Sequence, residues 1–127
     1  MVTKTIKYKD FDGNDRTEVA YFNINDAELA ELDMEVEGGF RNLLNDAEAK
    51  ADTALYYKVF KIMVAKAYGV KSADGRRLMK SKEISDEFFQ TNAYAELFYD
   101  VIKSEDSATE FFKGVLSGCH FAENIDA

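Results

Sequence analysis

The feature that most constrains this chain's fold is a long amphipathic segment in the middle of the sequence. Neither glycine nor proline occurs from Phe40 to Tyr68. Apolar residues recur there at helical spacing in two adjoining stripes, one of Leu55, Val59 and Ile62 and one of Tyr56, Phe60 and Met63. A helix with so wide an apolar face is normally buried at the centre of a bundle, so we expect a mainly α fold. Asp52 suits an N-cap, but the pattern leaves open whether residues 46–53 divide the segment.

Ahead of this segment, the sequence predicts a β-hairpin over about residues 3–23. Polar and apolar residues alternate over residues 3–11, and a second strand-like stretch covers residues 17–22. The residues between them include Asp-Gly-Asn-Asp at 12–15, residue types that tolerate the positive φ of a tight turn. A lone hairpin is only marginally stable in water, so we expect this one to pack on the helices or to pair with another copy.

Turn and capping residues delimit the elements around the central segment. Asn25 and Glu28 fit a capping box that begins a short acidic helix, and Gly38-Gly39 provides the backbone freedom for its end. Beyond the central segment, residues 72–75 (Ser-Ala-Asp-Gly) predict a short turn or hairpin between the central and the C-terminal helices. The helical body is therefore expected to extend over about residues 25–118.

Short helices at the C-terminal end complete the predicted domain. Their expected N-caps are Ser81, Thr91 or Asn92, and Ser104. The last helix carries an apolar face that is more typical of a core than of a binding groove, and it consists of Phe111, Phe112, Val115 and Leu116. If the tail moves away, this face becomes a docking site for an amphipathic helix, so these residues are partner-binding candidates. We expect one domain over residues 1–118 and a flexible tail over residues 119–127.

Composition and charge exclude several classes of function. The chain has 127 residues and a net charge of −8, which argues against binding to nucleic-acid phosphates. No apolar run approaches the roughly 20 residues of a membrane helix, and the polar N-terminus lacks a signal peptide, so we expect a cytoplasmic protein. A single cysteine excludes an intramolecular disulfide and a thiolate metal cluster.

The charge is unevenly distributed along the chain. Residues 26–52 contain nine acidic and two basic residues, whereas residues 58–82 contain eight of the sixteen Lys and Arg residues. Opposite charges of this kind offer a route to head-to-tail association of copies, and hence to a homo-oligomer. Two solvated faces of different sign are the simpler interpretation.

The sequence contains no recognisable catalytic or metal-binding pattern. Cys119 and His120 are adjacent but lie in the expected tail, where they would be poorly positioned for catalysis. Residues 10–15 resemble a calcium loop only superficially, because an EF-hand needs glycine at the sixth position and Glu at the twelfth. Arg76 and Arg77 lack the glycine-rich cradle of a phosphate site, which leaves a solvated basic loop or a contact with a protein partner. We expect neither an enzyme nor a bound cofactor.

Four motifs in the second half of the chain resemble those of one protein family. They are Ala67-Tyr68-Gly69, Lys71 to Arg77, Lys80-Ser81, and Phe88 to Leu97. Their order resembles that of the tail assembly chaperones of siphophages, the long non-contractile-tailed bacteriophages, and related prophages. In that family a helix ends in Ala-Tyr-Gly and is followed by a Lys-Ser-x-Asp-Gly-Arg-Arg turn. A Lys-Ser helix start and a Phe-x-x-Thr-x-Ala-Tyr-x-Glu-Leu helix come next. The resemblance extends over about residues 21–116.

This resemblance implies a protein that binds the tape measure protein, keeps it soluble and helps recruit tail tube subunits. It implies action in the host bacterial cytoplasm and absence from the mature virion. One alternative is an acidic phage protein that mimics DNA and inhibits a host defence or nucleic-acid-binding protein. The basic residues between Lys58 and Lys82 weigh against a mimic, which needs a long acidic face. A second alternative is a structural component that stays in the tail.

Overall fold

The computed structural model describes residues 1–120, which form a helical domain with a small antiparallel sheet. Along the chain the elements are β1 (Val2–Lys9), β2 (Asp15–Phe22), α1 (Asp26–Glu35), α2 (Phe40–Lys50), α3 (Thr53–Ala67), β3 (Tyr68–Lys71), β4 (Leu78–Met79), α4 (Lys82–Phe89), α5 (Asn92–Ile102) and α6 (Glu105–Leu116). The predicted mainly α fold with an N-terminal β-hairpin is confirmed.

The four described strands form one sheet in the order β1-β2-β3-β4, with every pair antiparallel. In the hairpin, Val2 pairs with Phe22 at one end and Lys9 with Asp15 at the other. β3 joins this hairpin through the pairing of Tyr21 with Gly69. The short β3–β4 pair, which lies between α3 and α4, therefore extends the N-terminal hairpin instead of standing apart.

The hairpin turn is held by the carboxylate of Asp10. Its Oδ1 accepts hydrogen bonds from the backbone N–H groups of Asp12 (3.0 Å) and Asn14 (2.9 Å), and its Oδ2 accepts one from Arg16 Nε at 2.8 Å. Hydrogen bonding to Arg16 and to the backbone lowers the pKa of Asp10. This carboxylate is engaged in the turn, in agreement with the hairpin interpretation of residues 10–15.

The predicted caps begin the helices around the central segment. Asn25 and Glu28 form the complete capping box of α1. Asp52 accepts hydrogen bonds from the backbone of the first turn of α3, after Ala51 has ended α2 with a left-handed φ of 47°. The central segment is therefore divided in two at residues 51–52, which settles the question that the pattern left open.

The hydrophobic core lies between the sheet and the helices and is centred on aromatic rings. Phe22 of β2 is fully buried, and its ring centroid lies 5.5 Å from Phe111 and 6.0 Å from Phe88. Phe60 of α3 contacts Phe111 at 5.8 Å. Edge-to-face and tilted geometries of this kind add to the free energy gained by burying the rings. The core thus ties β2, α3, α4 and α6 together.

The C-terminal end of the described chain differs from the prediction. Cys119, which we expected in a flexible tail, is only 5% exposed, and its Sγ donates a hydrogen bond to the Ile24 carbonyl at 2.8 Å. The thiol is small and apolar enough to fill the space beside the segment between β2 and α1. The ordered fold therefore includes Cys119, and the exposed His120 follows it. The rest of the expected tail, residues 121–127, lies outside the described residues.

Candidate functional site

An open groove with an apolar floor lies among α1, α2, α3 and the start of α4. Its volume is about 710 Å³. The apolar side chains that line it are Leu32, Val36, Leu43, Ile62 and Ala65. We call this feature the α1–α4 groove. An open groove with an apolar floor between helices is the form of site that binds the apolar face of an amphipathic helix.

The groove exists because the apolar face of α3 is wider than the core that covers it. Val59 and Met63 of this helix are fully buried. Ile62 is only half-buried and Ala65 is exposed, and both border the groove. Apolar surface of α3 is thus left accessible beside α1, where a partner can bury it.

A part-buried ion pair between Glu28 and Lys80 lines the groove. Lys80, immediately before α4, donates hydrogen bonds to Glu28 Oε2 at 2.7 Å and to the Asn23 carbonyl at 2.6 Å. Both charged side chains are about four-fifths buried, because the side chain of Lys80 is 20% exposed and that of Glu28 is 19% exposed. Glu28 Oε1 also accepts from the Asn25 backbone as part of the capping box. One carboxylate therefore begins α1 and attaches it to the segment before α4.

A second set of ion pairs connects α1 with α3 along the groove. Lys66 Nζ lies 3.3 Å from Glu31 Oε1 and 3.4 Å from Glu35 Oε1. Burial of Lys66 alone would lower its pKa, but hydrogen bonding and the charges of the two glutamates outweigh this effect and raise it. Lys66 therefore remains protonated and holds α1 against α3.

The charged side chains along the outer border of the groove are segregated by element. The acidic ones are Glu35 at the end of α1, which also pairs with Lys66, and Glu37 in the turn that follows. The basic side chains are Lys58 of α3 and Lys82 of α4. Lys82 also pairs with Asp86 at 2.6 Å. The groove consequently has an acidic border on α1 and a basic border on α3 and α4.

The α6 residues that the sequence offered as partner-binding candidates lie in the core. These residues are almost completely buried, with relative exposures between 0% and 3%, and they are Phe111, Phe112, Val115 and Leu116. The rings of Phe111 and Phe112 contact aromatic rings of β2 and α3. The Val115 carbonyl accepts a hydrogen bond from the Ile24 backbone at 3.2 Å. In the described structure this face is packed and is not an open docking surface, so a role in partner binding through it stays a prediction.

The other two candidates, Arg76 and Arg77, are exposed in the turn between β3 and β4. Hydrogen bonds order this turn, because Ser72 Oγ donates to Asp74 Oδ1 at 2.7 Å and accepts from the Arg77 backbone at 3.0 Å. Neither arginine lines the α1–α4 groove. Contact of this basic turn with a protein partner also stays a prediction.

Sequence reasoning did not identify the groove residues as a site. Ile62 was assigned to an apolar stripe of α3, and nothing in that stripe shows which member the core leaves uncovered. The unusual width of the stripe is the one signal in the sequence that points to an additional apolar contact. Leu43 and Val36 come from other elements, so only the fold brings them to the same place.

No group of three or more His, Cys, Asp or Glu side chains within residues 1–120 is arranged to hold a metal ion. Burial raises the pKa of the Cys119 thiol, which keeps it protonated and weakly nucleophilic. None of the helices in the described region has the length and apolar character needed to cross a bilayer.

Comparison with known proteins agrees with the motifs in the sequence. A family model described as phage tail assembly chaperone matches residues 1–118, a range that includes the sheet and α1 to α6. Neither the curated proteins nor the solved structures provide a match. The matched range contains the groove and the turn that carried the resemblance, and it extends to the first strand of the hairpin. The chain belongs to the phage tail assembly chaperone family.

Proposed function

We propose that this protein binds the tape measure protein, keeps it soluble and helps recruit tail tube subunits during tail assembly. It acts in the host bacterial cytoplasm and is absent from the mature virion. The observation that supports the proposal best is the α1–α4 groove, an accessible apolar surface on a member of the tail assembly chaperone family.

The physical requirements of this role match the properties of the chain. A long helical protein that has not yet assembled exposes apolar stripes, which cause aggregation unless another surface covers them. The groove offers the apolar side chains of Val36, Leu43 and Ile62 for that purpose. The net charge of −8 adds repulsion between complexes, which favours solubility.

Co-expression with the tape measure protein of the same phage tests the proposal. We expect the tape measure protein to be insoluble alone and to appear in the soluble fraction, in complex with this chain, when the two are produced together. If it stays insoluble and no complex is purified, the proposed function is wrong.

A matched pair of alanine-to-arginine substitutions tests whether the groove is the binding surface. Ala65 is exposed and lines the groove, whereas Ala95 of α5 is exposed outside it. Both positions tolerate arginine as a helix residue, so neither change should unfold the domain. We expect Ala65→Arg to fill the groove and abolish the soluble complex, while Ala95→Arg leaves it intact. Equal amounts of complex with both variants would place the binding surface elsewhere.

A further inference from the structure

We propose that the α1–α4 groove binds an amphipathic helix of the tape measure protein whose apolar stripe has basic residues along one flank and acidic residues along the other. This inference rests on the proposed function and specifies the part of the partner that is recognised. Its basis is the separation of charge across the groove border.

The apolar part of the groove determines that the ligand is a helix with one apolar stripe. Val36, Leu43 and Ile62 are half-buried, and they come from three different elements around the groove. An extended strand would need free backbone groups to pair with, whereas the groove is bordered by helices whose backbone groups are paired internally. A helix satisfies its own backbone and presents only side chains to the floor.

The inner charges of the groove are already paired within the protein. Lys80 is engaged with Glu28 at 2.7 Å, and Lys66 lies between Glu31 and Glu35 at 3.3 and 3.4 Å. These pairs hold α1 in place beside α3 and α4. They therefore stabilise the groove itself and contribute less to discrimination among ligands than the charges on its outer border do.

The outer charges are the ones that a ligand meets. Glu37 and Lys58 are exposed, and Lys82 is exposed although it pairs with Asp86. Glu35 lies 3.4 Å from Lys66, but 59% of its side chain is exposed, so it also faces the ligand. Since the acidic side chains border α1 and the basic ones border α3 and α4, a complementary helix needs opposite charges on its two flanks.

Peptides tiled along the tape measure protein test this inference. Overlapping peptides of about 25 residues, each labelled with a fluorophore, are titrated with the full chain at low ionic strength and followed by fluorescence anisotropy. We expect those that bind to combine an apolar stripe with one basic and one acidic flank. A helix that binds in the opposite direction exchanges its two flanks, so a peptide with the flanks swapped could still fit the groove. The control is therefore a peptide of the same composition with both charge signs mixed on each flank. If mixed-flank or single-sign peptides bind equally well, the inference is wrong.

Charge reversal in the protein provides the second test. Lys58→Glu with Lys82→Glu replaces two attractions with two repulsions at the border, and we expect about tenfold weaker peptide binding at low ionic strength. Lys7→Glu with Lys50→Glu changes the net charge equally at exposed positions outside the groove and should have little effect. Circular dichroism confirms that both variants are folded. If both pairs weaken binding equally, or neither does, specific recognition by the border is excluded.

The failure of this inference differs from a failure of the proposed function. A chain that keeps the tape measure protein soluble, but binds peptides without regard to their flanking charges, would contradict only the charge rule. A chain that neither solubilises the tape measure protein nor binds its peptides would contradict both.

Discussion

Truncation of Phe112 to alanine tests whether α6 contributes to the core or to a partner surface. The ring is 1% exposed and stacks on Tyr56 with the centroids 6.2 Å apart. Removing a fully buried phenylalanine side chain costs about 3–5 kcal/mol of unfolding free energy, from lost burial and the cavity that remains. Domains of this kind have total stabilities of about 5–15 kcal/mol, so Phe112→Ala should remove a large fraction. The midpoint of thermal unfolding should fall on the order of 12–20 °C, at about 4 °C per kcal/mol.

Phe11 provides the matched control for this substitution. It lies in the hairpin turn and is 80% exposed. Phe11→Ala should change the unfolding free energy by less than about 0.5 kcal/mol. Urea unfolding followed by far-UV circular dichroism gives both values, and binding to the tape measure protein is measured on the same samples. If Phe112→Ala is as stable as Phe11→Ala but no longer binds, α6 is a partner surface and its assignment to the core is wrong.

Three further predictions concern individual contacts. A hydrogen bond to the Glu18 carboxylate raises the pKa of Tyr8 to about 12 from 10.0, so ionisation is easier in the unfolded chain. The stabilisation from this bond should be complete below pH 10 and be lost as the pH rises towards 12. Tyr8→Phe should remove this pH dependence of the stability. If the urea midpoint changes with pH in the same way in both proteins, the prediction is wrong. Gly69→Ala should destabilise the domain by roughly 1–3 kcal/mol, because a Cβ there would lie 2.6 Å from Leu78 Cγ and 3.0 Å from a backbone carbonyl; an unchanged melting temperature would refute this. Cys119 should react with Ellman's reagent far more slowly in the native protein than in urea, and equal rates would show that it is not buried.

Local signals made the starts of several helices predictable. A cap depends on a few neighbouring residues, and Asn25 with Glu28 forms in the structure the capping box that the sequence indicated. Asp52 likewise caps α3, and Ser81 and Ser104 accept hydrogen bonds from the first turns of α4 and α6. These interactions are made within one turn of helix, so the sequence contains all the information that they need.

Interactions between distant segments were beyond such reasoning. The pairing of Tyr21 with Gly69 joins the two hairpins into one sheet, and neither hairpin alone indicates it. The ion pair of Glu28 with Lys80, which lines the groove, spans 52 positions. The burial of Cys119 depends on the position of Ile24, which a search for helical periodicity near the C-terminus does not reveal. The groove itself arises from such contacts, which is why its residues could not be identified in advance.

Site-specific photo-cross-linking tests most directly the claim that the α1–α4 groove binds the tape measure protein. A benzophenone amino acid replaces the exposed Glu37 at the border of the groove or, as a control, Thr5 on the exposed side of β1, and the chain is irradiated in the co-expressed complex. We predict a cross-link to the tape measure protein from position 37 and none from position 5. A cross-link from position 5 alone would contradict the assignment of the groove as the binding site.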